Sequence, residues 1–287
     1  MSERLASSLF EFDQKQIKAL RKIGSRALEV SKERYCSGFP IYRGDMIEGF
    51  DYSGGSEQKL GFNNSFHNYI VGEGGARVAG AVDLSPSLQE LARATGDAHD
   101  VRQLWGRGAD ERDSAAWIEQ RIVEAGLFDR VVAKMGAKAI LGTEPLFDAD
   151  GPIKGKIIGQ MAQQLEYDSK EEELFAKSVA SADLGALYKP YGPYLGHQLY
   201  AQRQGSNAGE TPDMAGFPQF YEKQAPFVEN YRYLLPEAEG ALATHRTQVT
   251  RYTNFVAEQL REGKIESWEQ LRAQDIAFMR NPDMQLR

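Results

Sequence analysis

Residues 187–203 read LYKPYGPYLGHQLYAQR, and they place Pro190, Gly192 and Pro193 between two helical runs. A proline at the first position of a helix has its φ already set for helical geometry, and a glycine before it can take the positive φ that a tight turn needs. The stretch therefore predicts a helix, a tight hairpin turn and a second helix. The buried face of the second helix is expected to carry three residues: Tyr194, Leu195 and Leu199.

Composition is that of an ordinary globular protein, with 287 residues, 41% apolar and 26% charged. The formal net charge of -7 argues against a surface covered in lysine and arginine, so any contact with nucleic acid requires a local basic patch. Cys36 is the one cysteine, which excludes an internal disulfide and suits a reducing compartment.

No run approaches the roughly 20 apolar residues that span a bilayer. The first residues, MSERLASSLFEFDQ, carry acidic side chains where a secretory signal has a basic end and an apolar centre. The sequence thus predicts a cytoplasmic protein with no membrane partner.

Helical periodicity begins near the N-terminus. Apolar residues recur at three- and four-residue intervals from Phe12 to Arg34, which predicts an amphipathic helix facing a core. The polar face of this helix is the densest positive stripe in the chain, and we interpret it as a solvated face. Its members are Lys15, Lys18, Arg21, Lys22 and Arg26.

Glycine and asparagine dominate the next segment, residues 37–80, which lacks helical periodicity. Such a composition indicates either long loops or short strands joined by tight turns. We expect it to form a small irregular or β-containing insertion in a single, mainly α domain that covers residues 1–287.

The remainder reads as helices separated by loops. Ser85 and Pro86 suit the start of a helix, and a capping box of Ser87 and Glu90 is the alternative start, two residues later. Ser169 with Glu172 and Ser267 with Gln270 also match the capping-box pattern. Helices are expected over residues 115–125, 128–139, 153–165, from 169 toward 187, 237–262 and 267–279.

The central turn resembles the helix-hairpin-helix of DNA glycosylases, in which backbone N–H groups at a helix N-terminus contact a DNA phosphate. It is more similar to a phage-associated branch of that superfamily that builds hypermodified thymines, the thymine pyrophosphorylase and amino acid:DNA transferase group. Their Gly-hydrophobic-Gly-Pro-Phe-Leu-Ala-x-Gln run is similar to residues 191–198, YGPYLGHQ. Pro190 stands where the family has its first glycine.

This resemblance implies a transferase that acts on an activated or modified thymine base in DNA. Arg43 would hold a phosphate or carboxylate, Asp213 would act as base or charge stabiliser, and His197 with Gln198 would read the base edge or place the nucleophile. Asp45 is the third catalytic candidate. An extruded base would need stacking surfaces and a supporting turn, for which the candidates are Tyr191, Gly192, Tyr194 and Phe217. The residues identify no cofactor.

Two other interpretations remain open. Arg43, followed by a stretch with Ser65, Phe66 and Tyr69, looks like the first two signatures of ADP-ribosyltransferases, the second of which is a Ser-containing strand. The late acidic pair of that family should also lie on a strand. Glu171 and Glu173 form such a pair but fall at the predicted start of a helix, so the third signature is missing. A non-catalytic interaction protein, such as a virion component, also fits the acidic composition. The Asp148 and Asp150 pair is similar to a phosphatase or glycosyltransferase metal motif, and we interpret it as an acidic loop. No partner residue can be assigned to Cys36 as a nucleophile.

Overall fold

The computed structural model describes residues 10–44, 46–103, 108–147 and 157–286. These residues form eleven α-helices, one short 3-10 helix and two small antiparallel sheets of two strands each, which confirms a mainly α fold with a small β-containing insertion near the N-terminus. None of the described helices is long and apolar enough to span a membrane.

The helices, in chain order, are α1 (Gln14–Arg34), α2 (Ser65–Ala81), α3 (Pro86–Ala98), α4 (Ala109–Glu124), α5 (Arg130–Leu141), α6 (Lys170–Asp183), α7 (Gly192–Arg203), α8 (Phe217–Asn230), α9 (Pro236–Leu242), α10 (Arg246–Arg261) and α11 (Trp268–Arg280). The strands are β1 (Pro40–Arg43), β2 (Met46–Phe50), β3 (Pro145–Phe147) and β4 (Ile157–Gln160), and the 3-10 helix is Met161–Gln163. Strand β1 pairs with β2, and β3 pairs with β4.

The chain divides into two compact units, each made of three separate stretches. The first unit comprises Met1–Ser31, Asn68–Gly185 and Tyr233–Leu242, and the second comprises Lys32–His67, Ala186–Arg232 and Ala243–Arg287. Because each unit draws on distant parts of the chain, no linker marks the division in the sequence. The single domain expected over residues 1–287 stays a prediction.

The first unit is built around helices α3 to α6, which pack on one another. Its core is aliphatic and small-residue-rich, with Leu88, Leu91, Ile118 and Ile140 at most 1% exposed. Ser85 caps α3, since its hydroxyl accepts a hydrogen bond from the backbone N–H of Leu88 at 3.3 Å. Of the two starts that the sequence leaves open, the one at Ser85 is therefore confirmed.

Helix α2 corrects the expectation that residues 37–80 lack helical structure, because the segment becomes helical at Ser65. Its glycines, which read as turn residues, allow close helix packing instead. A Cβ atom at Gly96 in α3 would lie 2.7 Å from the Cα atom of Gly72 in α2, so the two backbones touch. Glycine at these positions serves proximity and not a turn.

Three further predictions need correction. The helix expected over residues 237–262 is divided into α9, which ends at Leu242, and α10, which begins at Arg246. The helix expected over residues 153–165 is absent from its described part, where β4 is followed by the 3-10 helix; residues 148–156, including Asp148 and Asp150, lie outside the described residues. The helix expected to run toward Leu187 ends at Asp183. Its start is confirmed, since the Ser169 hydroxyl accepts from the N–H of Glu172 at 3.1 Å.

The second unit combines the β1–β2 hairpin with helices α7, α8, α10 and α11. Helix α8 packs on α10, α7 contacts both α10 and α11, and α11 contacts β2. The side chain of Arg280 in α11 donates to the carbonyl of Ile47 in β2 at 2.9 Å, which fastens the hairpin to the helices. The predicted capping box of Ser267 and Gln270 is present at the start of α11.

Asp97 of α3 is a buried acid packed against glycine backbones. Its carboxylate lies where Cβ atoms at Gly24 and Gly72 would stand, so a side chain at either position would displace the Asp97 carboxylate. Burial raises the pKa of Asp97 to about 7, and the charges of Arg93 and His99 only partly oppose this rise. Since the folded-state pKa lies above the unfolded value of 3.8, the side chain favours the folded state in its protonated form.

We predict that Gly96→Ala destabilises the protein by about 1–3 kcal/mol, because the added methyl group meets the backbone of Gly72 and must push two helices apart. The matched control is Gly240→Ala, in α9, where an added Cβ atom meets nothing within 4 Å. Alanine there should be neutral or stabilising by up to about 1 kcal/mol. Urea unfolding of both variants measures the difference, and equal effects would contradict the packing argument.

We predict that Asp97→Asn removes a pH dependence of stability. In the native protein, Asp97 contributes fully below its unfolded pKa of 3.8 and loses that contribution as the pH rises toward about 7. The free energy of unfolding of the asparagine variant, relative to that of the native protein, should therefore rise by about 1.4 kcal/mol per pH unit between pH 5 and 7. Above pH 7 the difference should be constant; a difference that does not change with pH would refute the assignment.

Candidate functional site

The central turn leads into α7, but its glycine works differently from the prediction. Gly192 is not among the glycines with positive φ, so that expectation is wrong. A Cβ atom at Gly192 would instead collide with the backbone carbonyl oxygens of Leu187 and Ala186, the latter at 2.6 Å. Glycine is needed because the chain folds back on itself here.

Gly192 and Pro193 of the same turn have no free backbone N–H group for a phosphate. The N–H of Gly192 donates to the carbonyl of Lys189 at 2.8 Å, and Pro193 has no N–H. Both residues are buried. Helix α6, which precedes the turn, belongs to the first unit and α7 belongs to the second. The observed geometry therefore gives no support to phosphate contact by these two residues.

His197 of α7 lies at the centre of a buried hydrogen-bond network. Its Nδ1 atom is 2.7 Å from a carboxylate oxygen of Asp275 in α11, and its Nε2 atom is 3.1 Å from the hydroxyl of Tyr221 in α8. The other carboxylate oxygen of Asp275 accepts from the hydroxyl of Tyr252 in α10 at 2.9 Å. The side chains of His197 and Asp275 are only 2% and 1% exposed.

Asp275 orients the imidazole of His197 in the same way that a carboxylate orients the histidine that serves as general base in many enzymes. With Asp275 accepting from Nδ1–H, the Nε2 atom is directed at the hydroxyl of Tyr221. Burial, with the negative charge of Asp275 as the next cause, holds the pKa values of Tyr221 and Tyr252 well above the ordinary value for tyrosine. Both phenols therefore stay protonated, as hydrogen-bond donors and not as bases.

The network is closed to a substrate. The cavity beside His197 has a volume of about 10 Å³, which is room for about one water molecule and not for a nucleobase. Its walls come from α7, α8 and α10 and the turn before α7, and they include Gly196, Tyr221, Gln224 and Thr253. In this conformation the network stabilises the second unit.

Sequence reasoning identified His197 but missed its partners. Asp275 lies 78 residues further along the chain, and Tyr221 and Tyr252 are on two other helices. One signal was present: Asp275 occupies an inward position of α11, between the apolar residues Leu271 and Phe278. A lone carboxylate on an apolar helix face indicates a buried partner, although it does not say which one.

The other candidates on and beside α7 are largely enclosed. Tyr194 is 2% exposed, stacks on Phe50 with ring centroids 4.2 Å apart, and shares a short hydrogen bond with the hydroxyl of Tyr52. Gln198 is buried against Gly61, where a Cβ atom would meet the Gln198 amide oxygen at 2.6 Å. Tyr191, half-buried, makes an edge contact with Phe66. These rings hold the hairpin and its following loop against α7.

The remaining predicted site residues lie apart from this network. Asp213 is exposed; its carboxylate accepts from the N–H of Ala215 at 2.9 Å and its carbonyl accepts from the hydroxyl of Tyr200 at 2.7 Å, so it shapes the turn before α8. Arg43 is 78% exposed at the end of β1 and pairs with Glu48 at 2.9 Å. Asp45 lies outside the described residues.

Three further residues bear on the open alternatives. Burial raises the pKa of the Cys36 thiol to about 12, so the thiol stays protonated and is a poor nucleophile at neutral pH. Ser65 begins helix α2, where the ADP-ribosyltransferase signature has a strand. Phe217 is fully buried, with its ring in edge contact with Trp268, and offers no free stacking face.

A second buried histidine, His99, lies in the first unit. Its Nδ1 atom donates to the carbonyl of Gly96 at 2.7 Å, and its Nε2 atom is 3.2 Å from Asp100 and 3.4 Å from Asp183. Burial lowers the pKa of His99, but the two carboxylates outweigh it and hold that pKa well above its ordinary value. The imidazolium form therefore ties α6 to the residues that follow α3.

Basic residues form the most accessible candidate surface of the first unit. Lys15, Lys18 and Lys22 of α1 are exposed, and none of them pairs with a carboxylate among the described residues. Arg26 continues the row and is bonded to Glu29 at 3.0 Å. We call Lys15, Lys18, Lys22 and Arg26 the basic stripe. Its helix, expected from Phe12 to Arg34, is confirmed over Gln14–Arg34.

We predict that Asp275→Ala lowers the free energy of unfolding by about 3–5 kcal/mol, because it removes the partner of a buried imidazole and of the Tyr252 hydroxyl. Asp283→Ala is the matched control, since Asp283 is exposed just beyond α11 and bonds only to Gln248 among the described residues. It should change stability by no more than about 0.5 kcal/mol. Chemical denaturation followed by circular dichroism compares them; a small effect at Asp275 would mean that the network is not the structural centre of the unit.

Comparison with known proteins adds no family to these observations. No protein-family model matches the chain, and neither the curated proteins nor the solved structures include a match. Function must therefore be argued from the residues of the two units themselves.

Proposed function

We propose that the protein binds DNA through the basic stripe on α1. The observation that carries this proposal is a row of exposed lysines, Lys15, Lys18 and Lys22, with no carboxylate partner among the described residues. The chain is acidic overall, with a net charge of -7, so this positive row differs from the average charge of the protein. An unbalanced positive row on an acidic protein is a local attraction for a polyanion.

The spacing of the row suits a phosphate backbone. Its members are separated by three, four and four residues, so they lie on one face of the helix at intervals of about one turn. From Lys15 to Arg26 the row extends for about 16 Å at 1.5 Å per residue. A straight row of cations can follow successive phosphates of one strand, whereas a compact anion would contact only one or two of them.

Electrostatic contact of this kind has a defined signature. Each phosphate neutralised by a lysine releases condensed counterions, and the logarithm of the binding constant falls by about 0.9 per contact for each unit of log salt concentration. Three or four contacts give weak binding that depends strongly on salt. The expected interaction is therefore of low affinity and directed at the DNA backbone. Action on a modified thymine is a separate and more specific prediction.

The test is fluorescence anisotropy with a labelled duplex across a salt series, comparing the native protein with Lys15→Gln/Lys18→Gln/Lys22→Gln. We expect the triple variant to bind more weakly and its salt slope to be smaller by about 2.7. A matched variant, Lys134→Gln/Lys223→Gln/Lys264→Gln, removes the same charge from exposed positions elsewhere and should keep the native slope.

Equal losses in both triple variants would mean that net charge, and not the stripe, controls binding. A duplex carrying hydroxymethyluracil, included beside the plain duplex, examines the finer prediction, since preferential binding to the modified duplex would support action on a modified thymine. No binding of either duplex at low salt would refute the DNA proposal.

A second candidate is an interaction protein, favoured by the β1–β2 hairpin of the second unit. Ile41 and Tyr42 of β1 are 48% and 57% exposed, which is high for large apolar side chains. Apolar side chains on a short two-stranded sheet are typical of a strand that contacts another protein. If DNA binding fails, sedimentation at increasing concentration distinguishes self-association from binding to a different partner.

A further inference from the structure

A cleft of about 470 Å³ opens on the first unit, on the face of α1 next to the basic stripe. This volume lies within the range of small-molecule sites in proteins. Its walls come from α1, α2 and the beginning of α3. Its lining includes apolar residues, Phe12, Ile17, Ala76 and Pro86, and charged residues.

The charged lining residues form a chain of alternating arginines and glutamates. Arg21 donates two hydrogen bonds to the carboxylate of Glu90, of 2.6 Å and 3.2 Å. Arg93 lies 3.8 Å from the Glu90 oxygen that Arg21 contacts at 3.2 Å, and it makes a close ion pair with Glu73. These pairs fix the guanidinium groups in place, because a planar fork held by a carboxylate has little freedom to rotate.

Arg77 ends this chain without a carboxylate of its own among the described residues. It lies one helical turn after Glu73 on α2, and its hydrogen bond to the carbonyl of Ala241 is long, at 3.5 Å. Three arginines against two glutamates leave one positive charge in the cleft. That charge is concentrated at Arg77, whose side chain is exposed.

We propose that this cleft binds a small phosphorylated organic molecule of the mononucleotide class. The phosphate would be held by Arg77 together with Arg93, which lines the same cleft, and the ring of the ligand would lie against the apolar residues Phe12 and Ile17. Guanidinium groups match the geometry of phosphate oxygens, and an aromatic side chain offers a surface for a flat ring. The two glutamates would disfavour densely charged ligands such as a polyphosphate, since they repel additional negative charge.

This inference is independent of the proposed DNA binding, because the basic stripe does not line the cleft. Arg21 faces the cleft, whereas Lys15, Lys18 and Lys22 are not among its lining residues. The two proposals can therefore fail separately.

Isothermal titration calorimetry of the full chain tests the proposal, with thymidine 5′-monophosphate as ligand and thymidine as the control that lacks the phosphate. We expect the monophosphate to bind with a dissociation constant below about 1 mM. Thymidine should bind at least tenfold more weakly, and inorganic phosphate should compete with the monophosphate. Binding of both ligands with equal affinity, or no binding of the monophosphate, would overturn the proposal.

Two arginine variants locate the site. Arg77→Gln should raise the dissociation constant of the monophosphate at least tenfold, whereas Arg261→Gln, at an exposed arginine of the second unit, should leave it unchanged. Thermal unfolding of both variants verifies that they fold. The lysine triple variant should bind the monophosphate as the native protein does. Undiminished binding by Arg77→Gln would show that the phosphate lies elsewhere and would refute this assignment.

Discussion

The carboxylate of Asp275 is the group on which the second unit most depends. It receives hydrogen bonds from His197 of α7 and Tyr252 of α10, and His197 in turn contacts Tyr221 of α8. One buried anion thereby connects four helices. A buried charge is tolerated only when its hydrogen bonds are satisfied, so these four helices must meet in one arrangement for the unit to form. An apolar core alone would specify that arrangement less strictly.

In the first unit, the close approach of two helices selects a single packing arrangement. Gly72 and Gly96 bring α2 and α3 into backbone contact, and Asp97 fills the space that side chains at Gly24 and Gly72 would occupy. Here the constraint is steric, because a Cβ atom at Gly72 or Gly96 would meet the backbone of the other helix. The two units therefore use different physical means to select one packing: a satisfied charge in one case and the absence of side chains in the other.

Accessibility separates structural from functional candidates. The polar and aromatic groups beside the glycine-proline turn, His197, Gln198 and Tyr194, were candidates from the sequence. They are buried, and their contacts are with neighbouring elements of the fold. The residues that remain available to a ligand are basic: the stripe on α1 and the cleft that contains Arg77. An unbalanced cation at the surface can attract a partner at no cost to folding. A buried dyad would first have to open.

Local patterns in the sequence determined much of the secondary structure. Periodicity located α1, and serine caps located the starts of α3, α6 and α11, because these signals act within one or two helical turns. The basic stripe was also visible, since its members share one helix face. Only the tertiary structure decided that the glycines of α2 belong to a helix, that Asp275 is the partner of His197, and that Arg77 faces a cleft. Those facts depend on contacts between segments far apart in the chain, where residue type restricts the partner but does not identify it.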